Sequence, residues 1–275
     1  IVPRGKKKET VARLLLLTDG HPTTGITDEK EIVAEVKRAS QNGVVTIALG
    51  IGEDYNEHLL ADMAESSKGY FEHIDDPSKL PKIFENYVRK SVQVEIRDAV
   101  VEFVPVEDAK IEVFGKEVRW ENGKCVIEIG DVSAGTVMDV YGQIVVPPRE
   151  EGRVRPMKVI VRYFDAAKGR MEEFSYDFVV NYTSDSSLLG ATNEDLVYEA
   201  LAVRYTDELA KAYRRGDQTQ ATQILQKIET LKTRVKGKLA IDLQTTLIAA
   251  SRGDSKTLIA TVTKIQKGEQ ETQIY

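Results

Sequence analysis

Among 275 residues the chain has one cysteine, one tryptophan and three histidines. A single cysteine, Cys125, excludes an internal disulfide framework and a cysteine-based metal site. It lies in the alternating stretch Cys125 to Ile129, where it reads as a small packed hydrophobe. His21, His58 and His73 have no metal-ligand spacing and no H-E-x-x-H frame; His21 alone stands beside a candidate site and reads as a solvated loop residue. No apolar run approaches the roughly 18 residues that a membrane span needs, and no signal peptide is visible. Positive charge is not in excess either. With 38 Lys and Arg against 44 Asp and Glu, the formal net charge is -6, which argues against a nucleic-acid binder that neutralises phosphates. The basic run Arg4 to Lys8 is the exception and reads as a solvated terminus. The opening Ile1 to Gly5 resembles a protease-cleavage linker, so residues 1–10 are set apart from the fold.

Signatures of catalysis are also missing. No phosphate-binding loop with Gly-Lys-Ser or Gly-Lys-Thr occurs. Gly50-Ile51-Gly52 follows a strand-like run, but Tyr55 stands where a dinucleotide loop needs its third glycine, and Glu53-Asp54 would repel a pyrophosphate. No serine sits in a G-x-S-x-G turn. The expectation is a protein that is not an enzyme. Two Arg-Gly-Asp triplets, at 215–217 and 252–254, are read as helix caps whose Asp carboxylates are occupied, rather than as free recognition loops. Asn181 opens an N-glycosylation triplet, which says little about compartment.

What is present is 41% hydrophobic residues, enough for real cores, arranged in three patterns. Over 11–94 strand-like and helix-like segments alternate. Leu14 to Leu17 belongs to a near-continuous apolar run, the mark of a strand buried on both faces of a parallel sheet. A helix follows, capped by Thr27 or Asp28 and stopped by Gly43; then come a second buried strand from Val44, a helix with Leu59, Leu60 and Met63 inward and Gly69 at its end, a strand at Tyr70 and a closing helix. Over 95–183 the period is two, with Asn122-Gly123 as a two-residue hairpin signal; the expectation is an antiparallel β-sandwich. Over 192–269 the chain is helical, with Ala221, Ile224, Leu225, Ile228 and Leu231 on one face and Leu258, Val262 and Ile265 on another. The two triplets open helices about 37 residues apart, Asp217 with Gln220 forming a capping-box-like pair, so helical hairpins in a short repeat or four-helix bundle are expected. The predicted fold class is multidomain α/β, then β, then α.

The first pattern resembles the second half of a von Willebrand factor A domain. The matching pieces are Leu14 to Gly20, Gly25 to Asp28, Thr46 to Asn56, Leu59 to Gly69, and Tyr70-Phe71 onward. The order α/β, β, helical also resembles prokaryotic proteins related in layout to the heavy chains of inter-alpha-trypsin inhibitor. The resemblance implies a partial doubly wound, Rossmann-like sheet. It also implies a divalent ion, usually magnesium, at the carboxyl ends of the strands, held by an Asp and two Ser of a D-x-S-x-S turn, a Thr from a later loop, and the Asp of the Thr-Asp-Gly strand end. Of these, Asp19 alone carries over as a metal ligand. The sequences at Asp131 (D-V-S-A-G) and Asp185 (D-S-S-L-L) are near misses of the D-x-S-x-S turn. A lone Asp19 is expected not to hold magnesium, because nothing replaces the ion's water shell. The Leu14 to Thr18 strand is expected to present an unpaired apolar edge, to be met by an upstream segment or a second chain. The function implied is protein-protein binding or adhesion, as a scaffold module that depends on metal only when the remaining ligands are supplied. The alternative is a partner subunit of an AAA-type ATPase or metal-insertion complex.

Overall fold

The computed structural model describes residues 12–106, 108–185 and 192–271. The chain opens with β1 (Ala12–Thr18), α1 (Glu29–Gln41), β2 (Val44–Ile51), α2 (Glu57–Ser66), β3 (Tyr70–Ile74) and α3 (Leu80–Val92). The three strands form a parallel sheet in the order β1-β2-β3. Helices lie on both faces, because each strand is apolar on both. Ala48 and Phe71, with Leu16, pack toward α1 and α2. Ile47, Leu49 and Ile74, with Leu15, pack toward Tyr87 of α3. Val44 to Gly50 are all buried, as a central strand should be.

The helix ends follow their sequence signals. Asp28, rather than Thr27, caps α1 by accepting the Glu31 N–H at 3.0 Å; Asn56 caps α2 through Leu59 N–H at 3.0 Å. Gly43 takes the left-handed φ of 73° that ends α1. At the end of α2 the left-handed residue is Lys68, not Gly69.

The second region holds β4 (Val94–Pro105), β5 (Lys110–Val113), β6 (Arg119–Glu121), β7 (Lys124–Ser133), β8 (Thr136–Met138), β9 (Gly142–Val145), β10 (Gly152–Asp165) and β11 (Arg170–Tyr182). Asn122 (φ 49°) and Gly123 (φ 76°) make the β6–β7 turn, as two left-handed residues in a tight hairpin should. Five strands form one antiparallel sheet, β11-β10-β4-β7-β6, accompanied by two-stranded ladders, one of β5 with β9 and one of β8 with the later segment Glu269–Glu271. One row crosses all five strands in register: Tyr176, Val159, Phe103, Cys125, Trp120. Cys125, on β7 within this row, is buried, as its apolar setting predicts, while Tyr176 and Trp120 are exposed at its ends. Burial of Cys125 pushes its thiol up from its ordinary pKa.

Four helices follow: α4 (Glu194–Arg214), α5 (Gln218–Leu231), α6 (Gly237–Arg252) and α7 (Ser255–Lys267). Asp217 caps α5 through Gln220 N–H at 2.9 Å, and Asp254 caps α7 through Thr257 N–H at 3.0 Å. The capping-box expectation holds only in half, since the Gln220 side chain accepts from Arg215 at 2.9 Å. The chain ends its described course as β12 (Glu269–Glu271), a return to the second region that no sequence pattern predicts. No helix among the described residues is long and apolar enough to cross a membrane.

The helical region does not stand apart. Leu59, Leu60, Ala64 and Phe71 share one continuous core with Leu209, Ile228, Leu258 and Val262. Polar ties cross the same seam, Arg214 to Asp62 at 2.7 Å and Lys267 Nζ to the Gly69 carbonyl at 2.7 Å, and Arg13 of β1 bonds Asp131 of β7 in the strand region at 3.1 Å.

Candidate functional site

The parallel strands end together, and their register defines the site. Thr18 lies beside Gly50, and Gly50 beside His73, so this row spans roughly 10 Å from β1 to β3. Asp19 is the next residue after β1. Its side chain is exposed, as is every residue from His21 to Lys30. The Thr18 hydroxyl turns back on the chain, donating to the Gly20 carbonyl at 3.2 Å and accepting the Gly20 N–H at 3.3 Å. This local turn fixes where Asp19 leaves the sheet.

The β3 side of the same end is closed. Tyr55 is 2% exposed, with its ring against Gly50; a Cβ on Gly50 would lie 2.3 Å from the ring. The glycine is there for the tyrosine, not for a phosphate. The Tyr55 hydroxyl meets His73 Nδ1 at 2.6 Å. Burial first, then the carboxylates of Glu57, Glu53 and Asp254, push the phenol up, so it keeps its proton and can donate to that nitrogen. Over this pair sits the start of α7. Ser255 Oγ donates to Glu57 Oε1 at 2.5 Å, and Lys256 lies 3.6 Å from Glu53 and over the Tyr55 ring at 5.3 Å. The Arg252-Gly253-Asp254 triplet is thus part of a helix start pinned to the sheet, and its carboxylate is engaged.

Magnesium takes about six oxygen ligands in near-octahedral order. Around Asp19 the structure offers one exposed carboxylate and a hydroxyl already committed to a peptide. Among the described residues no group of three or more His, Cys, Asp or Glu could hold a metal ion. These residues do not fit a magnesium site by themselves. The near-miss turn at Asp131 is explained otherwise: its carboxylate bonds Arg13 at 3.1 Å and the Asp98 N–H at 3.2 Å. For the other, Asp185 is exposed and its N–H bonds the Thr183 hydroxyl, while the serines and leucines after it lie outside the described residues. His21 is exposed beside Asp19, as expected of a loop residue. The Tyr55–His73 pair was not foreseen. Its signal was Tyr55 itself, a large apolar ring five residues after a strand glycine that needed something to pack against.

Residues 2–86 match the family model of the von Willebrand factor type A domain. The match begins at residue 2, within the opening segment that the sequence pattern sets apart. "Uncharacterized protein YfbK" of Escherichia coli (strain K12) is 30% identical over 141 residues, which are 48% of this chain and 24% of that protein. Among solved structures, the ArnB paralog VWA2 from Sulfolobus acidocaldarius superposes with a TM-score of 0.60 at 21% identity, covering 93% of this chain and 63% of that one. A von Willebrand factor type A protein from Catenulispora acidiphila gives 0.60 at 18%, covering 91% and 58%. The human COPII-coat protein Sec24c gives 0.53 at 14%, covering 94% and 40%. The chain therefore spans less than two thirds of each of these proteins. The structural likeness, which is one of fold, runs well beyond the α/β layer into the strands and helices behind it. The segment 2–86, whose described part is the parallel sheet and its flanking helices, is what this chain has in common with the von Willebrand factor type A domain.

Proposed function

We propose that this chain is a non-enzymatic protein-protein binding module of the von Willebrand factor type A kind, serving adhesion or scaffolding. Partner contact would be centred on the β1 side of the sheet's carboxyl end. The observation that carries the reading is an asymmetry: α7 closes the β3 side of that end, whereas Asp19 stands exposed on the β1 side, directly after the strand. Metal dependence belongs to the proposal only where ligands from outside the described residues join Asp19.

The test is site-specific photocrosslinking in cells of the source organism. One probe replaces His21, next to Asp19; a control probe replaces Gln41, exposed at the opposite end of the sheet. A single protein captured from position 21, not from 41, and lost with Asp19→Ala supports the proposal. Equal capture from both positions, no capture, or capture indifferent to Asp19→Ala would sink it. Repeating the experiment with a chelator then separates a metal-dependent contact from a direct one.

A further inference from the structure

The five-stranded sheet ends on one side at β11, which among the described residues is bonded to β10 alone. Its 13 residues make a long edge, against a usual strand of about 5–6. Free edges are normally blunted with proline, lysine or a bulge. From Met171 to Tyr182 this edge has neither proline nor lysine, and the one irregularity in its ladder falls on β10, between Val154 and Met157. Instead, Phe174, Tyr176 and Phe178 stand at alternate positions on one face, 61%, 57% and 37% exposed. Each is backed in register by an apolar residue of β10: Val161, Val159 and Met157. The acids of the other face are drawn away from the edge, Glu173 to Arg162 at 2.7 Å and Asp177 to Arg155 at 3.3 Å, both on β10.

The stretch Phe174-Ser175-Tyr176-Asp177-Phe178 is symmetric in character about its centre. We propose that β11 is the surface at which a second copy of this chain pairs, antiparallel, about a two-fold axis at Tyr176. Of the antiparallel registers, this one places all three aromatics opposite aromatics: Phe174 faces the partner's Phe178, and Tyr176 faces its own copy. The same register sets Asp177 opposite Ser175 and Glu173 opposite Val179, so no two acids face each other. Centring on Ser175 would oppose Glu173 to Asp177, and centring on Asp177 would oppose that residue to itself. Like charges directly opposite are destabilising, whereas aromatic cross-strand pairs are favourable. A two-fold interface needs a self-complementary patch, and this edge provides one in its aromatic pairing and its charge. A hetero-partner would have no reason to match that symmetry.

Sedimentation velocity over a wide concentration range tests this on the unaltered chain and on Tyr176→Lys, alongside mild oxidation of Tyr176→Cys. Residues opposite each other on antiparallel strands have Cα atoms about 4.5–5.5 Å apart, within disulfide reach. Native Cys125 is buried and does not compete. The expected results are a concentration-dependent dimer, a dissociation constant raised at least about tenfold by Tyr176→Lys, and a disulfide-linked dimer from Tyr176→Cys but not from Ser175→Cys. A monomer at every concentration overturns the proposal and leaves the edge to another chain. A dimer indifferent to Tyr176→Lys also overturns it, placing the contact elsewhere, such as the edge of β1. If Tyr176→Lys proves unfolded by circular dichroism, the cysteine variants decide, and failure of Tyr176→Cys to cross-link overturns the pairing.

Discussion

Gly69 closes α2 because of a contact, not a torsion. The left-handed step falls on Lys68, at φ 60°, and a Cβ on Gly69 would lie 1.7 Å from the Thr46 carbonyl oxygen. That oxygen belongs to the central strand and cannot move aside as a side-chain tip could. Gly69→Ala should therefore cost about 3 kcal/mol or more, read as a lower urea midpoint with an unchanged slope. Asp254 makes a different residue-scale prediction. Burial opposes its ionisation, but the bonds from Thr257, with His73 and Lys256 nearby, outweigh it and hold the carboxyl below the usual range. A depressed folded pKa means stabilisation that is present above the unfolded value and is lost as pH falls through the folded one. Asp254→Ala should cost about 1 kcal/mol at pH 7, and the gap between variant and parent should begin to narrow only in melts taken below about pH 4 and close at lower pH still. Both triplet caps were legible, because an Asp after Gly at a helix start has one cheap use. The contact at Gly69 was not, because nothing local to a glycine says which distant backbone comes close.

At the scale of elements, β1 and β2 have similar apolar patterns and different surroundings. A run of leucines reads as a strand buried on both faces, and β2 meets that description along nearly its whole length. In β1, Leu14 and Leu17 are 47% and 43% exposed, one on each face, because among the described residues no strand pairs its outer side. The expectation of an apolar edge at β1 came from the ligand-bearing turn that the resemblance calls for, an inference about neighbours rather than about β1 itself. The strand β12 was illegible: three residues, Glu-Gln-Glu, have no periodicity to read, and they pair with β8 only because α7 delivers them there. Exposed apolar edges template unwanted pairing, and a lysine blunts them. Leu17→Lys should leave the melting temperature nearly unchanged, since the side chain is far from fully buried. It should also lower static light scattering on warming. A drop in melting temperature of many degrees would show that Leu17 is held more tightly than its exposure implies.

Across the whole molecule, the first and third sequence patterns mark a change of element type, not two independent cores. Helix α7 shows why. It buries Leu258, Ile259, Thr261, Val262 and Ile265, more than one face of a helix. One side meets α4 and α6, and the other meets α2 and β3. A periodicity count registers that α7 is amphipathic, yet it cannot say that its second apolar flank belongs to a sheet some 200 residues earlier in the chain. The consequence is thermodynamic coupling: the helices and the parallel sheet should unfold as one unit. Leu258 is fully buried in the shared cluster, so Leu258→Ala should cost about 3 kcal/mol. The decisive measurement is hydrogen exchange by mass spectrometry. If the core is continuous, this single truncation in α7 lowers protection in β2 peptides spanning Ala48 and Leu49 by the same factor as in α4 peptides spanning Leu209. Loss of protection confined to α4 through α7, with β2 unchanged, would show that the helices open on their own and that the seam between α2 and α7 is a docking surface between separate folding units.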